Sequence, residues 1–269
     1  MRWNGCKRIS FETPLTRHRK MKKIDFYGFV GMIAPGGLLI FGLSYFFPGI
    51  GILLHGKEIS FGDLGLFVIL AYVVGHIAQC LGDFIGFVWD WSTSGQPTDY
   101  VRKGKEPFAP EWLMRKLPKK IRQFCEAKFE KPFLSPQQLR KLPAKIREVL
   151  KIDCQDDLSQ VNSNDWFYIT RQGYATVKRV GLAGRIDIFN GCFGLMRGVV
   201  ASLVILLVVA VLYSNPINLQ LFEVLGIAIC FALLRMHRFG LHYARELFVQ
   251  LLSVLPGDLE MPAVKEVEE

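Results

Sequence analysis

The feature that most constrains this chain is a run of 22 residues, 26–47, that carries no charged side chain. At about 1.5 Å per residue, a helix of that length crosses a hydrocarbon core of about 30 Å. Three more apolar runs, 64–85, 194–213 and 217–234, are long enough to do the same. The sequence therefore predicts an all-α integral membrane protein with four transmembrane helices.

Composition narrows the fold class further. The chain is 51% hydrophobic and holds 21 Phe and five Trp residues, which excludes a disordered chain because these side chains need a core. Its 25 Gly and 13 Pro follow no fixed period, which excludes a collagen-like fold. The six Cys form no C-x-x-C pair and no close Cys/His cluster. We therefore expect no disulfide framework, no metal site and no cofactor.

The distribution of Lys and Arg predicts the orientation in the membrane. Residues 1–23 contain eight basic side chains and residues 92–197 contain 20 against 11 acidic ones, whereas the loop 48–60 contains Lys57 alone. Because cytoplasmic flanks of membrane spans are enriched in Lys and Arg, we expect both termini and the middle segment in the cytoplasm. The chain carries no N-x-S/T sequon, which is compatible with a bacterial inner membrane.

These observations divide the chain into five segments. A basic cytoplasmic N-terminal segment, 1–23, precedes a transmembrane hairpin, 24–91, whose first span is expected to stay in the mature protein. A basic helical cytoplasmic domain, 92–185, is inserted between spans 2 and 3, and a second hairpin, 186–234, follows it. The last segment, 235–269, is expected to form a basic amphipathic helix and an acidic tail. That helix is expected to lie on the inner membrane surface or to pack on the middle domain.

Within the middle segment, Arg115–Arg122 recurs in similar form as Arg140–Arg147, and each copy places a Pro where we expect a helix to begin. Apolar stripes with Lys and Arg opposite them predict a small domain packed on itself. The alternative is a surface for anionic lipids or for a cytoplasmic protein partner or signal. The candidate residues for this surface lie in two segments. The middle segment contributes Lys119, Lys120, Arg122, Lys145 and Arg147, and the C-terminal segment contributes Arg238, His242 and Arg245. Nucleic acid is a weaker candidate, because membrane topology already explains the basic charge.

Two local patterns concern the helices around this domain. Ser135 to Gln138 reads as a capping box at a helix start. From Ser163 a helical pattern runs toward the third span, either as one long helix or with a break between Gly181 and Gly184, since each Gly costs about 1 kcal/mol inside a helix. Polar residues beyond this point are expected to share one helical face: Asp187, Asn190 and Arg197.

The second span carries the most informative polar pattern. Its polar side chains fall within an arc of about 120° when helical residues are placed about 100° apart. They are His76, Gln79, Asp83 and Asp90, and we call this set the polar stripe. Polar groups are costly in hydrocarbon unless they face protein or water. Glu223 in the fourth span is expected to add an acidic group near the outer end.

Three interpretations of the polar stripe stay open at this point. In the structural one, Asp83 and Asp90 pair with Arg185 or Arg197 while the other two members hydrogen-bond across the bundle. In the functional one, the stripe lines an aqueous path for ions or protons. In the third, His76 and Asp83 are the acid–base or metal-binding pair of an enzyme, although no third ligand or nucleophile follows at a recognisable spacing.

Pro35, Gly36 and Gly37 lie in the middle of the first span. Proline removes a helical hydrogen bond, and the two glycines add backbone freedom, so we expect a kink or a break there. The same residues could serve as a gating hinge if several copies assemble around a pore.

The sequence supports two leading functions. The first is an oligomeric channel or membrane-permeabilising effector, a homo-oligomer regulated through its cytoplasmic domain. The second is a membrane-anchored scaffold that docks a soluble partner and uses the polar stripe structurally. A lipid-modifying membrane enzyme is the third, and the lack of catalytic motifs weighs against it.

Overall fold

The computed structural model describes residues 26–52, 61–93, 95–104, 115–116, 118–120, 123, 133–213 and 219–259. Every regular element in these ranges is helical. The helices are α1 (Phe26–Phe46), α2 (Pro48–Ile52), α3 (Phe61–Ser92), α4 (Asp99–Lys103), α5 (Pro136–Leu150), α6 (Ser163–Arg179), α7 (Gly184–Tyr213) and α8 (Leu219–Ser253). Short 3-10 turns occupy Leu158–Gln160 and Pro256–Leu259. The predicted basic N-terminal segment and acidic tail lie outside the described residues.

Four of these helices, α1, α3, α7 and α8, are long and apolar enough to cross a membrane. The expected all-α class and the expected number of spanning helices are therefore confirmed, and the protein is an integral membrane protein by the length and composition of its helices. Three of the helices, α3, α7 and α8, are longer than the apolar runs, however. Helix α3 extends from Phe61 to Ser92 and α7 starts at Gly184, because helical hydrogen bonding continues past the point where apolar composition ends.

Helix α8 continues beyond residue 234, through the part of the chain where the sequence predicts a basic amphipathic helix. It runs without interruption from Leu219 to Ser253, since no Pro and no positive φ angle interrupts these residues. Of the two positions predicted for its second half, packing on the helical segments of the middle of the chain is the one observed, because Leu247, Phe248 and Leu251 are fully buried there.

The chain does break between α6 and α7, as one of the two alternatives predicted. Gly181 has a φ angle of 83°, in the left-handed region that glycine adopts without strain. The Leu182 N–H then donates to the Val177 carbonyl oxygen at 3.0 Å, which closes the C-terminal end of α6. The break lets α6 pack on the second half of α8 while α7 begins the third span.

Neighbouring contacts fix the helix directions. Met32 lies beside Gly75, and Gly36 beside Ala71, so α1 and α3 run antiparallel. The rings of Phe47 and Tyr213 meet at the ends of α1 and α7, which run parallel. Helix α8 packs antiparallel on α7, with Phe189 of α7 stacked on His242 of α8. The starts of α1 and α7 and the ends of α3 and α8 therefore lie at one end of the bundle.

The helical segments at that end of the bundle pack around a hydrophobic core of their own, and we call this part of the chain the helical domain. It comprises residues 95–104 and 133–183 together with the second half of α8. Its centre is Trp166, whose ring stacks on Phe248 with 5.1 Å between ring centroids. The indole Nε1 of Trp166 donates to the Thr98 carbonyl oxygen at 2.9 Å, so the buried ring keeps its polar atom satisfied.

Helix α5 of this domain begins as its sequence predicts but passes through its internal proline. The Ser135 hydroxyl accepts from the Gln138 N–H and the Gln138 side chain accepts from the Ser135 N–H, which completes the predicted capping box. The expectation that Pro143 begins a helix is wrong, because this residue lies inside α5 and is buried. In the first copy of the repeat, 115–122, the structure describes residues 115, 116 and 118–120, and Pro118 directly precedes helical residues there.

Candidate functional site

Helix α3 packs on α1 and α7 through a face of small residues. Its buried positions are Ala71, Gly75, Ala78, Gly82 and Gly86. A Cβ atom at Gly75 would lie 1.9 Å from the Met32 carbonyl oxygen, and one at Gly36 would lie 1.8 Å from the Ala71 oxygen. Backbones in such close contact leave no room for side chains, which is how small residues stabilise helix pairs in membranes.

Pro35, Gly36 and Gly37 do not break α1, which continues from Phe26 to Phe46. The Pro35 carbonyl oxygen instead accepts a hydrogen bond from the Ser202 hydroxyl of α7 at 2.9 Å. Gly36 provides the close contact with α3. The triplet therefore forms the junction of α1, α3 and α7, and its use as a gating hinge stays a prediction.

Gln79 of the polar stripe points into that junction. Because proline has no N–H, Pro35 leaves the carbonyl of Gly31, four residues earlier, without its helical donor. The Gln79 amide nitrogen donates to this Gly31 oxygen at 3.0 Å and also to the Gly194 oxygen of α7 at 2.9 Å. The Gln79 side chain thus supplies the hydrogen bond that Pro35 cannot donate, and it links α1, α3 and α7.

His76 lies on the outer side of the polar stripe. Its side chain is exposed, and its ring packs edge-on against Tyr72 with 4.6 Å between centroids. Tyr72 is exposed as well. Exposure of such a polar pair on a spanning helix is costly in lipid, because hydrocarbon cannot hydrogen-bond to it.

Asp83 pairs with Arg197 of α7, one of the two partners predicted for it. A guanidinium nitrogen of Arg197 lies 2.7 Å from the Asp83 carboxylate, and 65% of the Asp83 side chain is exposed. Gly82 and Gly86 provide the room, since their missing Cβ atoms would lie about 3 Å from Arg197. The Arg197 guanidinium also lies over the Phe193 ring, 5.6 Å from its centroid.

Asp90 lies at the end of α3 nearest the helical domain. It lines a cavity there together with Asp99 and residues of the first turn of α6. The Asp99 carboxylate and the Arg197 guanidinium act on it electrostatically. Asp90 therefore belongs to the boundary between the spans and the helical domain, about two turns from Asp83.

The remaining predicted stripe partners serve other contacts. Arg185 lies 3.8 Å from the Glu246 carboxylate and over the Phe189 ring. Asp187 accepts a hydrogen bond from the Tyr174 hydroxyl at 2.6 Å. Asn190 is exposed. Of the four predicted stripe partners, Arg197 is the one that the described structure brings to the polar stripe.

Glu223 lies apart from the stripe. It is exposed near the start of α8, at the opposite end of the bundle from the helical domain. Apolar residues of α8 surround it, among them Ile227 and Phe231. The structure therefore does not bring Glu223 together with Asp83 or Asp90.

Several side chains proposed for a lipid or partner surface contribute to the helical domain. Arg147 donates to the Cys154 carbonyl oxygen and to Asp156, and Arg245 donates to the Phe133 carbonyl oxygen at 3.0 Å. Lys145 pairs with Glu148, and His242 stacks on Phe189. Exposed positions remain at Lys119, Lys120 and Arg238, and Arg122 lies outside the described residues.

Sequence reasoning missed one polar cluster where the spans meet the helical domain. His237 is 2% exposed, and its Nδ1 accepts from the Trp89 Nε1 at 3.4 Å. Tyr100 packs edge-on against His237 and donates to the Thr93 carbonyl oxygen at 2.6 Å. Burial raises the pKa of the Tyr100 hydroxyl to about 12. The signal available in the sequence was His237 itself, on the apolar side of its helix.

Two further findings bear on function. Among the described residues, no group of three or more His, Cys, Asp or Glu side chains could hold a metal ion. Comparison with protein-family models, with curated proteins and with solved structures finds no match to this chain.

Proposed function

We propose that copies of this protein assemble through the exposed side of α3 into an oligomeric channel or membrane-permeabilising complex. In this assembly, Tyr72, His76 and Asp83 face a path for ions between the subunits. The observation that supports the proposal is the exposure of His76 and Asp83 on the surface of a helix that can span a membrane. Lipid would leave both groups unsolvated, whereas a second copy and water would not.

The packing within one chain supports a path between copies. Helices α1 and α3 meet through glycine contacts so close that a single methyl group would overlap backbone atoms, and a methyl group at Gly198 of α7 would overlap the side chains of Gln79 and Pro35. Gln79 fills the centre of this junction with its two hydrogen bonds. The proposed path therefore uses His76 and Asp83, while Gln79 holds the wall behind them.

The paired charges of Asp83 and Arg197 would interact with an ion in the proposed path. Asp83 is neutralised in part by Arg197, whose distance of 2.7 Å makes a charge-assisted hydrogen bond. An ion that passes Asp83 competes with this pair, and the exposed His76 lies on the same helix two turns away. The proposal therefore includes a conductance that depends on both of these side chains.

Conductance of the purified full chain in planar bilayers tests the proposal. Wild type is compared with the His76→Ala/Asp83→Asn double variant and with Phe84→Leu, a control on the lipid side of the same helix. Discrete currents that vanish or change ion selectivity in the double variant, at unchanged oligomer mass in detergent and unchanged in the control, would support it. Silent bilayers from well-folded wild-type protein would refute it.

Native cysteines test the assembly independently of current. Cys80 lies beside His76 on the exposed side of α3, and Cys230 is exposed on α8. Two variants, each retaining one of these cysteines with the other five replaced by Ser, are treated with a short bifunctional thiol reagent in membranes. We expect cross-linked dimers through Cys80 and few through Cys230. The reverse result would remove α3 from the interface.

We also propose that the helical domain and both termini lie in the cytoplasm, as in a bacterial inner membrane. The support is the excess of Lys and Arg in residues 1–23 and 92–197 over the loop 48–60. Labelling of single cysteines introduced at Asn162 and at Lys57 by a membrane-impermeant reagent tests this orientation in intact cells. Labelling at Lys57 alone is expected, and labelling at Asn162 would invert the topology.

The second candidate is a membrane-anchored scaffold. It is favoured by two aromatic side chains of α6, Phe167 and Tyr168, which are exposed next to each other on the helical domain. Neighbouring exposed aromatic groups are typical anchors of protein interfaces. Charge reversal at Lys119, Lys120 and Arg122, and separately Phe167→Ser/Tyr168→Ser, should then release a co-purifying partner without a change in conductance. An unchanged set of partners would count against the scaffold.

A further inference from the structure

Helix α8 changes in character where its apolar part ends. Residues 219–234 of this helix contain no Lys or Arg, whereas the four residues that follow contain Arg235 and Arg238. At 1.5 Å per residue the apolar part rises about 24 Å, close to the thickness of a hydrocarbon core of about 30 Å. The two arginines therefore lie where α8 reaches the headgroups of a bilayer.

Both arginines lie on the outer surface of α8. Their side chains are exposed, on the side of the helix opposite its buried residues Met236, Gly240 and Ala244. Residues three apart on a helix are neighbours on its surface. One phosphate group can therefore contact both guanidinium groups.

The Arg235 side chain extends away from the apolar part of α8. Its guanidinium lies over the Phe239 ring, 4.3 Å from the ring centroid and one turn farther along the helix. Basic side chains at the ends of spanning helices extend in this way toward the headgroups. A guanidinium that stacks on a ring keeps its N–H donors at its edge, where phosphate oxygens can accept hydrogen bonds.

The positive charge at this place is not balanced by carboxylates. None of the ion pairs among the described residues involves Arg235 or Arg238. The one carboxylate in residues 235–253, that of Glu246, lies 3.8 Å from Arg185. The positive field extends along the helix, because three guanidinium groups of α8 act electrostatically on His242: those of Arg235, Arg238 and Arg245. This surface therefore attracts an anion.

We propose that Arg235 and Arg238 bind the phosphate of an anionic phospholipid where α8 leaves the hydrocarbon. The acyl chains would lie along exposed apolar residues on the same side of α8, among them Ile227 and Phe231. The inference places the lipid contact on α8 and adds Arg235, which is absent from the lipid surface predicted from the sequence. It involves neither His76 nor Asp83, so it is independent of the channel proposal.

Native mass spectrometry of the full chain in detergent tests this inference. The probes are phosphatidylglycerol and phosphatidylcholine with identical acyl chains, with inorganic phosphate as a soluble competitor. We expect wild type to retain phosphatidylglycerol preferentially. Arg235→Gln/Arg238→Gln should lower that retention about 25-fold, since each basic group near an anionic surface contributes roughly fivefold. Arg238→Gln alone, which leaves the contact between Arg235 and Phe239 in place, should lower it about fivefold.

Two matched double variants separate this site from net charge and from folding. Arg140→Gln/Lys141→Gln removes two exposed positive charges from α5 and should leave the retention of phosphatidylglycerol unchanged. Arg235→Lys/Arg238→Lys keeps both charges on α8 and should keep most of the preference.

Three outcomes would overturn the inference. Equal retention of the two lipids by wild type, or an unchanged preference in both glutamine variants of α8, would show that these arginines do not recognise the anionic lipid. An equal loss in the α5 variant would reassign the effect to net charge. Displacement of the lipid by inorganic phosphate would reassign the site to a soluble anion. Loss of channel current in variants that keep the lipid preference leaves this inference intact, so the two proposals fail separately.

Discussion

The side-chain amide of Gln79 donates a hydrogen bond at 3.0 Å to the carbonyl oxygen of Gly31, which lies four residues before Pro35. The missing N–H of one helix is thus replaced by a side chain from another. Pro35 in α1 and Gln79 in α3 therefore depend on each other. Substitutions at these two positions should not have independent effects on stability.

Gln79→Ala should lower the free energy of unfolding by about 1–2 kcal/mol, because it removes two interhelical hydrogen bonds. In a Pro35→Ala background residue 35 regains its N–H, so the same change should cost less by at least about 0.5 kcal/mol. Unfolding by SDS from mixed micelles, followed by Trp fluorescence, measures all four proteins of the cycle. Strictly additive effects would mean that Gln79 does not compensate for Pro35.

Gly36→Ala should separate α1 from α3, because the added Cβ would lie 1.8 Å from the Ala71 carbonyl oxygen, a backbone atom that cannot rotate away. We expect a loss of at least about 2 kcal/mol in unfolding free energy. The adjacent Gly37→Ala is the control, since its Cβ would meet Phe67 at an ordinary 3.6 Å. Thermal unfolding in detergent should separate the two variants, and equal midpoints would contradict this packing.

Trp166→Ala should destabilise the helical domain by about 3–5 kcal/mol, because it empties the centre of the core and removes the hydrogen bond to Thr98. Tyr168→Ala, two residues away and exposed, should change stability by no more than about 0.5 kcal/mol. Limited proteolysis of the helical domain reports the difference. Similar cleavage rates for the two variants would argue against Trp166 as the central core residue.

Burial raises the pKa of the Cys154 thiol above that of a free cysteine, while the neighbouring Arg147 lowers it in part. Because the folded state favours the neutral thiol, this contribution to stability is complete below the free-thiol pKa. It is lost as the pH rises through that value toward the folded-state pKa. In a variant with Cys154 as its sole cysteine, the midpoint of the alkylation rate against pH should lie higher in the native than in the denatured protein. Coincident midpoints would count against this environment.

Apolar runs predicted the four spanning helices correctly, since helices of about 20 apolar residues have few alternatives to crossing a membrane. The helix ends were less predictable. Hydropathy reports where a chain leaves hydrocarbon, whereas a helix ends where its hydrogen bonding is interrupted. Gly181 provides such an interruption, and nothing near residue 235 does.

The polar stripe shows a similar limit. Helical spacing grouped His76, Gln79 and Asp83 on one side of α3, whereas the described structure gives each of them a different partner. Helical spacing alone could not separate the inward Gln79 from the exposed His76, because their angular positions differ by only about 60°. The partner carbonyl on Gly31 depends on a proline 44 residues away in sequence, which a single-helix projection does not include.

Helix α8 is a single rod of 35 residues whose first half packs on α7 and whose second half forms the core of the helical domain. A continuous helix has no loop at which a tilt could be absorbed. If its first half inclines by about 10°, the other end moves sideways by roughly 5 Å at 1.5 Å rise per residue. Repacking of Phe248 or Leu251 would therefore be transmitted along α8 to the half that can span a membrane, and a tilt of that half would displace the core of the helical domain.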